Sequence, residues 1–207
     1  MIYLWRTPDK FYQSIIGDDL SRYIGIYNKE KEPHIYNDKA GERRCLLSLS
    51  TVFSGYYEGK SFSFSKEKLT FNFDAKKSEL MTYDILENDY RFIIVNDRVR
   101  EVLNRFASKD LEYLEPTILC ADGELSGYYV LNIMSRVSGI NKEKSKCEFC
   151  VVDPNDIAGF EPGIGGMVYN HDCLGKHHIA KEREFGSFVL VSQELKDALC
   201  SLDPPLN

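Results

Sequence analysis

Phe92, Ile93, Ile94 and Val95 form an unbroken apolar run, followed by Asn96 and then by Val99, Val102, Leu103 and Phe106. The run predicts a buried strand. The spacing after it is the i, i+3, i+4, i+7 pattern of one buried helix face, with Asn96 placed to cap the helix. Nearly the same design returns over residues 187–202. Aligned without a gap, Phe188, Val189, Leu190 and Val191 fall on the first run, Ser192 on Asn96, and Leu195 and Leu199 on Val99 and Leu103. Two strand–helix units of this kind read as scaffold.

Elsewhere the pattern is shorter-ranged. Ile2 to Trp5 predicts a first strand, with a turn at Pro8-Asp9. Between residues 10 and 39, Phe11, Tyr12, Tyr23, Tyr27 and Tyr36 alternate with charge, and neither period lasts, which predicts short strands and loops. Residues 29–33 read as a solvated turn, and 45–57 as a buried strand or a short helix. In 61–73, Phe62 and Phe64, then Leu69, Phe71 and Phe73, alternate on either side of a charged turn and predict a β-hairpin with one aromatic face. Residues 75–88 hold a short helix around 78–83. Residues 113–120 form one strand, Ala121-Asp122-Gly123 a tight turn, and 127–137 one long central strand apolar on both faces. Residues 141–146 form a charged loop. Pro154, Pro162, Gly159, Gly163, Gly165 and Gly166 make 153–170 a loop or irregular strands. His177 to Ala180 pairs into the sheet before the final unit, and Pro204-Pro205 ends the fold.

Together these elements predict an α+β fold: a mixed, largely antiparallel sheet with a few helices. The N-terminal half is β-rich, and the two strand–helix units lie in the C-terminal half. A single domain over 1–207 is expected, with a soft boundary near 88–90 between an aromatic β-rich part (1–88) and an α/β part (89–207).

Composition narrows the function classes. With 43% hydrophobic residues, 12 Phe and 13 Tyr, the chain has enough apolar surface for a substantial core. A net charge of −6 and a pI near 5.3 argue against nonspecific nucleic-acid binding. The longest uncharged run, 45–57, is shorter than the roughly 20 apolar residues a membrane helix needs. Arg6, Asp9 and Lys10 interrupt any N-terminal signal sequence. Scattered cysteines in a chain this long do not make a disulfide framework, so a reduced, cytoplasmic protein is expected.

The strongest chemical cluster is Cys147-x-x-Cys150 followed by His171-x-Cys173, a set able to supply four tetrahedral ligands to a structural zinc. His171-x-Cys173 is tighter than the usual ligand gap, and Val151-Val152 follow Cys150 as they would a buried strand cysteine, so ordinary free thiols are the plainer reading. A redox role for Cys147 and Cys150, and a nucleophilic pair of Cys173 with His178, are weaker alternatives. Residues 163–166 (Gly-Ile-Gly-Gly) lack the Lys-Ser/Thr of a phosphate loop and read as turn glycines. Asp18-Asp19 and Asp153/Asp156 sit in turn-like contexts, as solvated charges do. No catalytic motif orders these residues, so the expectation is a chain without turnover, without catalytic residues and without a cofactor.

The order of parts over residues 91–202 resembles a bacterial immunity-protein family of polymorphic toxin systems, formerly an uncharacterised domain family. The features that carry the likeness are Phe92 to Asp97 with its helix, Gly127 to Asn132 as central strand, Gly139 to Ser145, His177-His178-Ile179, and Phe188 to Leu195. The resemblance implies a cytoplasmic antidote that binds and neutralises a cognate toxin domain, with no family-wide contact residues to carry over. Such an interface would use aromatic anchors and acidic steering of a basic partner. Two other readings remain: a small-molecule or peptide-binding module, and an enzyme using Cys/His chemistry or zinc. Metal content with Cys147→Ser and Cys173→Ser separates the last, a pocket lined by convergent polar groups with a ligand in it would favour the first, and the identity of the neighbouring open reading frame tests the immunity reading.

Overall fold

The computed structural model describes residues 2–5, 26–27, 55–61, 69–86, 88, 92–149, 157–160, 166–186 and 188–206. Strand β1 is Ile2–Trp5, β2 Ile26–Tyr27 and β3 Thr70–Asn72. Helix α1 (Lys77–Leu80), strand β4 (Ile85–Leu86) and the first strand–helix unit, β5 (Ile93–Asn96) with α2 (Asp97–Ala107), come next. Strands β6 (Leu111–Leu114), β7 (Thr117–Cys120), β8 (Gly123–Leu125), β9 (Tyr128–Ile133) and β10 (Arg136–Val137) follow. The chain closes with β11 (Cys147–Phe149), β12 (Ile157–Phe160), β13 (Ile179–Glu182), β14 (Val189–Ser192) and α3 (Gln193–Cys200).

The strands make sheets ordered β2-β3-β7-β8, β4-β5-β9-β6 and β1-β14-β13-β10, with β11-β12 as a separate pair. Pairing is antiparallel except for β3 with β7 and β10 with β13. The fold is α+β with mixed, largely antiparallel sheets.

The β4-β5-β9-β6 sheet lies between two apolar layers. Ile94 and Val130 on one face meet Phe71, Ile118 and Leu125 of the β2-β3-β7-β8 sheet. On the other face Val95, Leu131 and Ile133 meet Val99, Val102 and Leu103 of α2. Alternate residues of one strand therefore serve different cores, as a period of two dictates. The second layer also takes in Leu195 and Leu199 of α3 and Ile179, Val189 and Val191 of the β1-β14-β13-β10 sheet. The two units that echo each other in sequence share one core. Both helices start on the predicted caps: Asn96 Oδ1 accepts from the Val99 N–H at 3.1 Å, and Ser192 Oγ from the Leu195 N–H at 3.2 Å.

Two predicted strands are each broken in two. The single strand expected over 113–120 is β6 and β7, in different sheets, separated at Glu115-Pro116. Pro116 has no N–H for a ladder and restricts the residue before it, so pairing stops there. The strand expected over 127–137 is β9, central as predicted between β5 and β6, and then β10 in another sheet. The chain turns at Met134-Ser135, where the Met134 N–H donates to Asp110 O at 2.7 Å and the Ser135 hydroxyl to Ile179 O at 2.6 Å.

The short helix expected around 78–83 is α1, beginning one residue earlier, and the strand expected at His177–Ala180 is β13, starting at Ile179. Leu69, Phe71 and Phe73 are buried in register. The rest of the predicted hairpin, residues 62–68, lies outside the described residues, as do the turns at 8–9 and 29–33 and the run 45–54. Residues 55–57 are helical, and β12 occupies part of the expected 153–170 loop.

Candidate functional site

His171 is exposed on the turn 171–176, and Cys173 is half-buried in the same turn. Gly139 lets the chain pass close by: a Cβ there would stand 2.9 Å from Cys173 Sγ and 3.0 Å from Glu182 Oε2. Burial first, then the Glu182 and Asp172 charges, pushes the Cys173 thiol up, away from the thiolate a nucleophile or metal ligand requires. Cys150 and the Cys147 side chain lie outside the described residues, as do Asp18-Asp19, Asp153/Asp156 and glycines 163 and 165. Among the described residues no group of three or more His, Cys, Asp and Glu side chains is placed to hold a metal ion.

The two adjacent histidines work as clasps. His177 Nδ1 is 2.9 Å from Asp110 Oδ2, joining the turn before β13 to the turn between α2 and β6. His178 Nδ1 is 2.9 Å from Ser192 Oγ, the cap of α3, and its ring meets Phe106 edge-on at 5.3 Å. Cys173 has a different set of neighbours.

Among the described residues, the most heavily buried charged groups belong to no motif. Lys181 is 1% exposed and Glu182 0%. The Lys181 amine donates to the Tyr56 carbonyl and, at 3.3 Å, to Asn132 Oδ1, and lies 3.8 Å from the centre of the Tyr56 ring. Burial and then the like charge of Arg136 lower its pKa to about 7. Glu182 takes the Gly139 N–H at 2.9 Å and the Glu184 N–H at 3.4 Å. Burial raises its pKa more than those donors lower it. The signal was present in the sequence: Lys181 and Glu182 continue the alternating rows begun by Ile179 and Ala180, which are both buried.

On the surface, the edge strand β6 and the first turns of α2 form a rim. The Arg100 guanidinium lies 3.8 Å over the Tyr129 ring and pairs with Asp97 at 2.9 Å. Tyr113 meets Tyr129 edge-on at 6.4 Å, and its hydroxyl is buried without a hydrogen-bond partner among the described residues. Exposed Glu101 and Asn104 lie on α2, and exposed Glu115 follows β6.

A model of the immunity protein family Imm11 matches residues 23–204. The chain belongs to the Imm11 immunity protein family. No curated protein matches it. The Imm11 match reaches well into the N-terminal half, beyond the residues 91–202 on which the sequence likeness rested. In Imm11 terms, the strand–helix units and the central strand β9 all lie inside the matched region. No described helix of this Imm11 chain is long and apolar enough to cross a membrane.

Proposed function

We propose that this protein binds a cognate toxin domain of a polymorphic toxin system in the cytoplasm and neutralises it by occupation, without turnover or cofactor. Membership of the Imm11 family over most of the chain is the observation that carries this reading. The net charge of −6 supports it, because an acidic surface speeds the approach of a basic partner. The Arg100–Tyr129–Tyr113 rim is the surface we assign first to the contact. Tyr and Arg dominate the binding energy of protein interfaces, and here they are packed together at an edge strand.

The test is co-expression with the toxin domain proposed as its partner, sought as the C-terminal domain of a secreted protein encoded in the neighbouring open reading frame. Cells carrying both should grow, cells carrying the domain alone should not, and the two chains should co-purify. A toxic domain that kills equally well in the presence of folded protein refutes the pairing.

A further inference from the structure

Residues 55–61 lie across the corner where the chain leaves β9 for β10, fastened through both backbone and side-chain groups. The Asn132 amide donates to Lys60 O at 2.7 Å, and the Ser61 hydroxyl to Glu112 Oε1 at 2.8 Å. The Tyr56 hydroxyl accepts the Ile93 N–H at 3.1 Å, and its ring meets Phe92 edge-on at 4.7 Å. Gly59 has φ +67°, and a Cβ there would come within 2.9 Å of the Ile133 and Met134 carbonyls. Only glycine permits that approach.

Lys181 lies beneath this segment. Its partners among the described residues are a carbonyl, an amide oxygen and an aromatic face, all neutral. The charged and titratable groups around it come from each packed element. Arg136 of β10 repels the ammonium. Glu112 of β6 reaches toward it only through Asn132, whose amide is 3.3 Å from Glu112 Oε2. Burial raises the pKa of the Tyr56 phenol, keeping it neutral. Glu58 and Lys60 of the segment pair with each other, and Glu182 turns away to Gly139.

We propose that residues 55–61 are a proton-sensitive strap: opening admits water to the Lys181 amine, so protonation of that amine favours release of the strap and loss of the proton favours closure. The sign follows from linkage. The closed amine, at about 7, holds fewer protons than an opened one near the ordinary 10.5. Across that window the open fraction falls with rising pH by up to about tenfold per pH unit, and below it the open fraction is constant. The inference stands apart from the toxin reading, since it concerns the free chain.

Hydrogen exchange of the Ile93 amide, which donates across the contact to the Tyr56 hydroxyl of the strap, reads the opening directly, and the Gly59 and Lys60 amides, bonded to the Tyr56 and Gly55 carbonyls, report the strap's own turn. The full chain would be followed from about pH 6 to 9.5, corrected for intrinsic rates and referred to β9. Protection in the strap should climb above about pH 7, approaching tenfold per unit, and should lose that climb in Lys181→Met. Asn132→Asp, which sets a carboxylate beside the amine, should move the onset upward. NMR titration of the Lys181 side chain in the unsubstituted protein needs no variant and should show a midpoint near 7. A native Lys181 that stays protonated above about pH 10, or strap protection with the same pH profile in Lys181→Met, overturns the proposal.

Discussion

Lys181 and Glu182 are adjacent in β13, and their side chains reach different neighbourhoods, Tyr56 and Asn132 on one side and Gly139 on the other. Among the described residues neither has a counter-ion: the groups that hold them are neutral dipoles, and burial shifts both toward their uncharged forms. For Glu182 the folded pKa lies above the ordinary 4.5. Its contribution to stability is full below that value and is lost as pH rises through the folded pKa, because the folded state gives up its proton less readily than the unfolded one. Glu182→Gln, which cannot ionise, should therefore gain on the unsubstituted protein as pH rises above the ordinary 4.5 in paired denaturant melts. A difference in stability that stays constant over that rise contradicts the assigned burial cost.

At the scale of elements, the helix starts carry much of the specification. Asn96 and Ser192 both have extended backbone and both accept the N–H three residues on, so one device opens both helices. Asn96→Ala and Ser192→Ala should each lose about 1 kcal/mol in urea unfolding. A cost near zero at either would mean that packing of Val99 or Leu195 alone sets the helix start. The corner at Met134-Ser135 works differently. No residue there breaks a strand by its own chemistry. The chain turns because Asp110 O and Ile179 O, distant in sequence, take the Met134 N–H and the Ser135 hydroxyl.

For the whole molecule, the apolar layers leave the α2–β6 rim as the place, among the described residues, where aromatic and guanidinium groups gather at an edge. Tyr129→Ala and Arg100→Ala should each weaken toxin capture by roughly tenfold or more, about 1.4 kcal/mol, in a titration against the purified toxin domain. Unfolding midpoints measured alongside separate lost contact from lost stability. Unchanged affinity in both variants would move the contact to another face while leaving the immunity reading in place.

The α+β class, both strand–helix units, their caps and the central position of β9 were legible in the sequence. They rest on local signals: a period of two or 3.6, a capping side chain, and an apolar run long enough to be buried on both faces. Membership of an immunity family was also legible, because an ordered series of structural segments survives as text. The broken strand at Pro116 was readable in principle, since a residue without an N–H announces itself. The sharing of one core by α2 and α3, the corner after β9, and the burial of Lys181 under residues 55–61 were decided only in three dimensions. A charge in a strand is written the same way whether water or Tyr56 covers it, and the free energy that distinguishes the two comes from residues more than a hundred positions away.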